Sequence, residues 1–317
     1  MVLPRAGCLA TTSPGDLSYK NALISFFLRH MLKEGFVPTR FFHVKRVLRI
    51  MVFLLCALYA GLFLVAFFLS DSMIFLPHPS SYQDSAEILK ITTAGGKKIS
   101  AVYLPNPAAK FTLLVNHGNA EDLGDDRYWL DSLRHAGFSV FAYDYEGYGT
   151  SEGKPGEKAC YQDAAAAYEF LAVDLKTAPD RIIIFGRSVG TGPAAYIAAK
   201  RPSAGVILQS PFVSAFRVLT RVPLLPFDKF PNYKYIRHVH SPVLIMHSRA
   251  DSVIPFWHGQ KIFALANQPK QSFWAMYTDH NDMELAQGYN EAIQAFAATL
   301  GRAEPVHPPP LPTPKVP

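Results

Sequence analysis

The stretch Gly186-Arg187-Ser188-Val189-Gly190 decides the fold that this sequence predicts. It follows an apolar run typical of a buried strand, residues 181–185, and precedes the helix-forming residues 193–199. A serine at a tight turn between a buried strand and a helix is the setting of a nucleophile elbow. The flanking glycines permit a sharp turn because they carry no Cβ to clash. We therefore predict that Ser188 is a nucleophile, which then needs a base, an acid and an oxyanion hole.

The rest of the chain alternates predicted strands and helices, as in a parallel sheet covered on both faces. Apolar alternation on either side of Gly95-Gly96 predicts a β-hairpin of residues 87–92 and 98–104. Further strands are predicted at residues 111–115, 139–143, 181–186, 206–208, 243–246 and 272–276. Besides the helix after the elbow, helices are predicted at about residues 125–136, 159–173, 256–266 and 284–300. The pattern predicts an α/β fold with a mostly parallel, doubly wound sheet.

Candidate partners of Ser188 lie in loops after predicted strands, where the ligand crevice of a doubly wound sheet is found. Asp251 and His280 each follow such a strand by a short loop. The chain order Ser188, Asp251, His280 is that of α/β-hydrolase triads. We predict that His280 takes the proton of Ser188 and that Asp251 orients the imidazole ring. Asp279 and Asp282 are rival acids, but a neighbour in sequence is poorly placed to hold the ring.

An oxyanion hole requires two backbone N–H groups near the nucleophile. We expect one from Val189, directly after the nucleophile, and the other from Asn119, in the loop after strand 111–115. Gly118 is expected to let this loop approach a ligand closely. His117, in the same loop, is expected to brace the loop rather than to act as a base.

Three histidines raise the alternative of a metal site: His238, His240 and His247. No matching carboxylate cluster accompanies them in the sequence. We therefore predict no metal ligands, and the motifs imply no cofactor.

Positive charge is concentrated in the N-terminal segment, residues 1–49, where eight Lys or Arg residues accompany two acidic ones. From Ile50 onward the two signs balance, so the net charge of +6 belongs to this segment. A neutral main domain argues against nucleic-acid binding. The cysteines are Cys8, Cys56 and Cys160, of which only the last lies in the main domain, so no disulfide framework forms there.

An uncharged run of 20 residues, from Ile50 to Leu69, is long enough to cross the hydrocarbon core of a bilayer as a helix. The alternatives are a buried helix, which rarely lacks polar residues over such a length, and a cleaved signal peptide, whose apolar core is shorter. We predict an uncleaved signal anchor over residues 50–70. Four Lys or Arg residues lie between positions 40 and 49, whereas none follows the run before Lys90. The positive-inside rule then predicts a single-pass protein with a cytoplasmic N-terminus and a periplasmic main domain, or a luminal one in a eukaryote.

Four regions complete the predicted organisation. Residues 71–85, rich in Pro and Ser, are predicted to be a linker, and the main domain is predicted to span residues 86–302. An insert over residues 211–241, rich in Phe, Pro and Tyr, either caps the site or packs on the surface. The Pro-rich tail, residues 303–317, is predicted to be disordered.

Four motifs make the chain resemble the α/β-hydrolase superfamily over about residues 72–300. They are His117-Gly118-Asn119, the run from Asp144 to Ser151, the run from Gly186 to Gly192, and Asp279-His280-Asn281-Asp282. The chain is similar in particular to the membrane-anchored serine hydrolase branch that includes eukaryotic protein depalmitoylases and bacterial homologues. It departs from the depalmitoylases at the N-terminus: they carry a cluster of lipidated cysteines, whereas this chain has an apolar span and only Cys8 near its start.

The resemblance implies a serine hydrolase that cleaves carboxylic ester or thioester bonds through an acyl-Ser188 intermediate. It also implies a small-molecule or lipid-like acyl substrate. Tyr145, in the turn after strand 139–143, is expected to wall the acyl site. Two alternatives remain open: a peptidase of the same fold, with Glu146 or Asp228 as the partner of a free amine, and a non-catalytic scaffold.

Overall fold

A computed structural model describes residues 21–26, 29–30 and 39–301 of the chain. The predicted Pro-rich tail, residues 303–317, and most of the basic segment, residues 1–49, lie outside the described residues. The chain divides into two compact units, with the boundary between Ala66 and Phe67.

Helix α1, Thr39–Ile74, contains the predicted apolar span. Its segment His43–Ile74 is long and apolar enough to cross a membrane, and only 6% of its most apolar 18-residue window is buried. Among the described residues it is the one helix that meets this condition. The helix continues past the predicted end at residue 70, and the N–H of Phe75 still donates to the carbonyl of Asp71 (2.8 Å).

Eight strands form one sheet with the spatial order β1-β2-β4-β3-β5-β6-β7-β8. The strands are β1 (Leu89–Thr92), β2 (Lys98–Leu104), β3 (Thr112–Asn116), β4 (Ser139–Tyr143), β5 (Ile182–Arg187), β6 (Gly205–Gln209), β7 (Val243–Ser248) and β8 (Lys270–Ala275). Strand β2 runs antiparallel to both β1 and β4, whereas all other neighbours are parallel. The predicted hairpin and the mostly parallel sheet are therefore confirmed.

Helices cover both faces of the sheet. The helices that follow α1 are α2 (Arg127–His135), α3 (Glu157–Glu169), α4 (Thr191–Ala198), α5 (Ala215–Thr220), α6 (Asn232–Tyr235), α7 (Trp257–Leu265) and α8 (Tyr289–Thr299). Side chains of a strand alternate between the faces. In β5, Ile182 and Ile184 pack in the cluster that contains α3, α4 and α7, whereas Ile183 and Phe185 pack in the cluster that contains α2 and α8. The parallel strands therefore carry continuous apolar runs, as the sequence indicated.

The last helix starts later than predicted. The sequence pattern placed its start at about residue 284, but α8 begins at Tyr289. A short 3₁₀ turn, Met283–Leu285, precedes it, and Gly288 has a φ of 85°. A left-handed glycine interrupts helical geometry, so the turn and the helix are separate elements.

The segment 71–85, predicted to be a linker, belongs instead to the hydrolase unit. Phe75 is 2% exposed, and its ring packs edge-on against Phe230 at a centroid distance of 5.9 Å. Further on, the hydroxyl of Tyr82 donates to Asp144 (2.5 Å). The Pro and Ser content that indicated a linker reflects an irregular backbone, but tertiary contacts fix that backbone on the domain.

Candidate active site

Ser188 stands at a strained turn directly after β5. It begins a single 3₁₀ turn that leads into α4. Its φ of 52° lies in the left-handed region, which is costly for a residue other than glycine. The flanking glycines are required by packing: a Cβ on Gly186 collides with the carbonyl of Gly190, and a Cβ on Gly190 collides with the carbonyl of Asn116. These close approaches hold the half-buried serine in its strained geometry.

The structure brings Ser188, His280 and Asp251 together. The Oγ of Ser188 lies 2.8 Å from the Nε2 of His280, and the Nδ1 of His280 lies 2.9 Å from the Oδ2 of Asp251. His280 is 7% exposed and Asp251 is 8% exposed. With the ring proton on Nδ1, the imidazole donates to the carboxylate and its Nε2 is free to accept the serine proton. This arrangement has the geometry of a serine nucleophile with its base and orienting acid.

Asp251 is held as a carboxylate by four donors. The N–H groups of Val253 (3.0 Å) and Ile254 (2.7 Å) donate to its Oδ1. Its Oδ2 faces His280 and, at 3.3 Å, the Nε2 of His247. Burial by itself raises the pKa of Asp251, but the hydrogen bonds from His247 and His280 outweigh burial and hold this pKa below its ordinary value. Asp251 is therefore ionised at neutral pH.

His247, which the sequence raised only as a metal candidate, contacts the acid. It lies fully buried at the end of β7, and its Nε2 is 2.8 Å from the carbonyl of Ile254. A proton on Nε2 serves both this carbonyl and Asp251. A Cβ on Gly259 collides with the His247 ring, which explains a glycine within α7. A buried histidine four residues before the acid was the available signal.

Asp279 braces the loop that carries the base. Its carboxylate accepts hydrogen bonds from the N–H (2.7 Å) and the hydroxyl (2.8 Å) of Ser252 and from the N–H of His280 (2.7 Å). Among the hydrogen bonds of the described residues, neither Asp279 nor Asp282 contacts the His280 ring. The geometry favours Asp251 as the acid over both rivals.

The predicted oxyanion donors, Asn119 and Val189, line the same pocket as Ser188 and His280. The side chain of Asn119 has a role that the sequence did not indicate. Its Nδ2 donates to the carbonyl of Ile74 (2.6 Å), and its Oδ1 accepts from the hydroxyl of Tyr148 (2.6 Å). We call residues 117–121 the oxyanion loop; contacts with distant parts of the chain hold it.

A buried ion-pair group connects the oxyanion loop with the elbow. The N–H of Gly118 donates to the carboxylate of Glu121, and a Cβ on Gly118 collides with that carboxylate. Gly118 lines the pocket as well, so its close approach to a ligand stays a prediction. The Nη1 of Arg187 lies 3.6 Å from Glu121 and 3.4 Å from Asp126. Burial raises the pKa of Glu121, and Arg187 opposes this rise. Arg187, the charged residue inside the elbow motif, was the signal that a buried counter-ion exists.

Two groups of His and acidic residues in the described part of the chain are close enough for a metal ion: His117, Glu121 and Asp126, and His78, Asp122 and Asp125. In the first group the guanidinium of Arg187 already lies against both carboxylates. In the second, Asp122 accepts hydrogen bonds from backbone N–H groups, among them that of Ser81 (2.8 Å), and so closes a turn. Neither group needs a metal to explain it.

The prediction for Tyr145 is wrong. Tyr145 is fully buried, and its hydroxyl donates to the carbonyl of His117 (2.8 Å). The ring lies beneath the oxyanion loop, 4.3 Å from the His117 ring, because the glycine-rich turn after β4 folds inward. The bracing role predicted for His117 is confirmed: its Nδ1 contacts the carbonyl of Gly118 (2.8 Å), and burial lowers its pKa to about 4. His117 is therefore neutral at physiological pH.

The pocket has a volume of about 430 Å³. Its polar lining includes Ser188, His280, Glu121 and Arg187. Its apolar lining includes Met73, Ile74, Leu76, Phe212, Val218 and Leu219. The predicted insert, residues 211–241, therefore supplies part of the wall through α5, while Phe230 of the same insert lies in the core.

Solved structures with this fold include an esterase of Pyrococcus furiosus, Pf2001. It superposes with a TM-score of 0.59 at 17% identity and covers 71% of this chain and 99% of its own. An esterase of Rhodococcus, RhEst1, superposes with a TM-score of 0.55 at 19% identity and covers 68% of this chain and 100% of its own. Residues 107–227 match the model of a family described as serine aminopeptidase, S33. These matches establish the α/β-hydrolase fold.

Sequence relatives are more specific. Alpha/beta hydrolase domain-containing protein 17B of Xenopus laevis is 39% identical over 225 residues, which cover 70% of this chain and 78% of that protein. The human protein of the same name is 38% identical over 225 residues, with the same coverage of 70% and 78%. The chain therefore belongs to the alpha/beta hydrolase domain-containing protein 17 family and is a serine hydrolase of the α/β fold.

Proposed function

We propose that this hydrolase cleaves carboxylic ester or thioester bonds of acyl groups through a covalent acyl-Ser188 intermediate. The observation that carries the proposal is the pair of hydrogen bonds, 2.8 Å from Ser188 to His280 and 2.9 Å from His280 to Asp251. This pair opens onto a pocket with apolar walls, which fit an acyl chain.

Acylation begins when the Oγ of Ser188 attacks the acyl carbon and the Nε2 of His280 takes the serine proton. The carbonyl oxygen becomes an oxyanion, which accepts hydrogen bonds from the backbone N–H groups of Asn119 and Val189. His280 then gives its proton to the leaving alcohol or thiol, and the acyl group stays on Ser188. Asp251 remains ionised throughout and stabilises the imidazolium.

Deacylation repeats the sequence with water as the nucleophile. His280 takes a proton from water, the resulting hydroxide attacks the acyl carbon, and a second oxyanion forms in the same hole. Collapse of this intermediate breaks the bond to Oγ. His280 returns the proton to Ser188, and the carboxylic acid leaves.

Peptidase chemistry is the second candidate, because the matched family model is described as an aminopeptidase. Recognition of a free amine requires a carboxylate that is not already paired. Glu121 lines the pocket, but it is bonded to Gly118 and paired with Arg187. The carboxylates raised from the sequence are used elsewhere: Glu146 is buried, and Asp228 accepts from Ser214 (2.6 Å) and Phe216 (3.0 Å). These contacts favour ester or thioester substrates.

The proposed function is tested on the full chain in detergent micelles with a fluorophosphonate probe and p-nitrophenyl esters of short and long acids. Wild type is expected to be labelled and active, and Ser188→Ala to lose both properties. Ser203→Ala, in which the hydroxyl removed bonds only Ser241, is the matched control and should behave as wild type. Preferential hydrolysis of aminoacyl-naphthylamides would support the peptidase instead. A folded wild type that is neither labelled nor active would favour the scaffold.

We also propose that α1 anchors the protein in a membrane, with the N-terminus in the cytoplasm and the hydrolase domain in the periplasm or a lumen. The apolar, exposed run over residues 50–70 of α1 supports membrane insertion, and the four Lys or Arg residues at positions 40–49, before this run, support the orientation. In sealed membrane vesicles that keep the cytoplasmic face outward, protease should remove an N-terminal tag and spare a C-terminal one. The reverse pattern would contradict the orientation.

A further inference from the structure

We propose that the segment Asp71–Leu76, at the end of α1, is a positioning element of the active site that holds the oxyanion loop through the side chain of Asn119. The inference rests on the proposed function, in which the backbone N–H of Asn119 is an oxyanion donor. It assigns a catalytic consequence to a segment that the sequence presents as a linker.

The contacts between the segment and the loop form a closed network. The Nδ2 of Asn119 donates to the carbonyl of Ile74 (2.6 Å), and its Oδ1 accepts from the N–H of Leu76 (3.0 Å). The hydroxyl of Tyr148 donates to the same Oδ1 (2.6 Å) and lies 3.1 Å from the N–H of Leu76. Three of the four hydrogen-bonding positions of the amide are therefore used. Only a side chain with both a donor and an acceptor at this distance from the backbone can make this network.

The segment itself is fixed independently of Asn119. Phe75, between the two residues that bond Asn119, is 2% exposed and packs against Phe230. The carboxylate of Asp71 lies 3.0 Å from the Nζ of Lys229. Because Ile74 and Leu76 flank a buried anchor, their backbone groups occupy set positions. The hydrogen bonds therefore place Asn119 relative to the core.

The side chain of Asn119 makes the hydrogen bonds that hold the loop, which we call the clamp, and the backbone N–H of the same residue is the proposed oxyanion donor. An oxyanion hole works only when its donors lie at about 2.7–3.1 Å from the developing charge. Loss of the side-chain clamp leaves the backbone N–H in the chain but frees its position. Such a change weakens binding of the transition state and leaves binding of the ground state largely intact, so kcat falls while KM stays.

The test compares three variants of the full chain in detergent micelles. Asn119→Ala removes the clamp and retains the backbone N–H. We expect kcat for a short p-nitrophenyl ester to fall by about tenfold to hundredfold, with KM within about twofold. The rate of fluorophosphonate labelling should fall in parallel. Tyr148→Phe keeps the bonds to Ile74 and Leu76, so its kcat should lie between those of Asn119→Ala and wild type. Because it is nearly isosteric, this variant decides the question if Asn119→Ala does not fold.

Ser81→Ala is the matched control for a structural effect. It removes the hydrogen bond from the hydroxyl of Ser81, shortly after the segment Asp71–Leu76, to Asp122. The contacts of Asn119 stay in place. We expect a lower melting temperature and a wild-type kcat. Folded Asn119→Ala and Tyr148→Phe proteins with wild-type kcat and labelling rates would overturn the inference while leaving the proposed function in place. Labelling that persists in Ser188→Ala would overturn both.

Discussion

The acid–base side and the oxyanion side of the proposed active site are held in different ways. On the acid–base side, Asp251 bonds the N–H groups of residues two and three positions further on, and Asp279 bonds the N–H of its own neighbour. On the oxyanion side, Asn119 bonds Ile74, 45 residues away, and Tyr148, 29 residues away. The first side is therefore set by two loops that follow the neighbouring strands β7 and β8 and bond each other, since Asp279 also accepts from Ser252. The second side depends on the segment Asp71–Leu76, which lies outside the sheet.

We therefore expect mutations on the two sides to have different effects. A change on the proposed acid–base side is expected to remove either the base that takes the serine proton or the acid that orients it. A change among the remote partners of the oxyanion loop alters stability or geometry before it alters chemistry.

The largest effect is expected for Asp251→Asn. The amide oxygen still accepts from Val253 and Ile254, so the loop should keep its shape, but the ring of His280 loses its orienting charge. We expect kcat for a short ester to fall by about 10⁴-fold with little change in melting temperature. Asp279→Asn, which changes the rival acid, is the matched control and should lose far less activity. Equal losses in the two variants would contradict the assignment of the acid.

A large loss of stability is expected for Arg187→Met. Arg187 is 8% exposed, and its removal leaves the buried Asp126 and the half-buried Glu121 without a cation. We expect the free energy of unfolding to fall by about 3–5 kcal/mol, measured by urea titration in detergent micelles. Adding Glu121→Gln to the same chain should restore part of this loss, because it removes one of the uncompensated charges. No destabilisation in the single variant would show that the ion pairs do not hold the loop.

Sequence reasoning found the residues that follow strand ends and missed the residues that hold them. Ser188, Asp251 and His280 were predicted because the carboxyl ends of parallel strands meet at one edge, and the structure brings them together. The partnership of Glu121 with Arg187 was missed because contacts between remote loops leave no periodic pattern. The Pro and Ser content of residues 71–85 predicted a linker, but tertiary contacts hold this segment on the hydrolase unit.

For Tyr145 the sequence predicted the position in the chain but not the surroundings of the side chain. Its position after β4 was correct, but the direction of its side chain depends on how the glycine turn folds. In the structure, Gly147 and Gly149 have φ values of 81° and 51°, and the tyrosine lies in the core. A motif therefore located the turn and did not determine which side chain meets the pocket.

A moderate effect on rate is expected for His247→Phe. Phe keeps an aromatic ring but has no N–H, so the acid loses one donor and keeps His280. A hydrogen bond to a charged group contributes about 1.4 kcal/mol or more, which corresponds to a tenfold change in rate. We expect kcat to fall about tenfold by this reasoning, with KM unchanged. A loss as large as that of Asp251→Asn would place His247 in the proton transfer itself.

The smallest effect concerns the pH dependence of stability, through a contact between His258 and the insert, residues 211–241. His258 is fully buried, its Nδ1 accepts from the N–H of Val213 (3.0 Å), and burial lowers its pKa to about 4. Unfolded histidine titrates near pH ~6.5, so the unfolded chain binds more protons between these values. Stability is therefore complete above pH ~6.5 and falls as the pH drops towards ~4.

Replacement by glutamine removes this titration. We expect the melting temperature of His258→Gln to depend less on pH over that window than the melting temperature of wild type. Calorimetry at several pH values makes the comparison. The same pH dependence in both proteins would show that His258 does not couple the insert to pH.

The acyl-Ser188 intermediate is tested most directly by measuring the mass of protein that is trapped during turnover. A short p-nitrophenyl ester is mixed with the full chain, the reaction is stopped with acid within the first turnovers, and the protein is digested and weighed by mass spectrometry. We expect one acyl group on the peptide that contains Ser188 and none in Ser188→Ala. An acyl group on any other residue would contradict this mechanism. Turnover without an acylated protein, under conditions that slow deacylation, would contradict it as well.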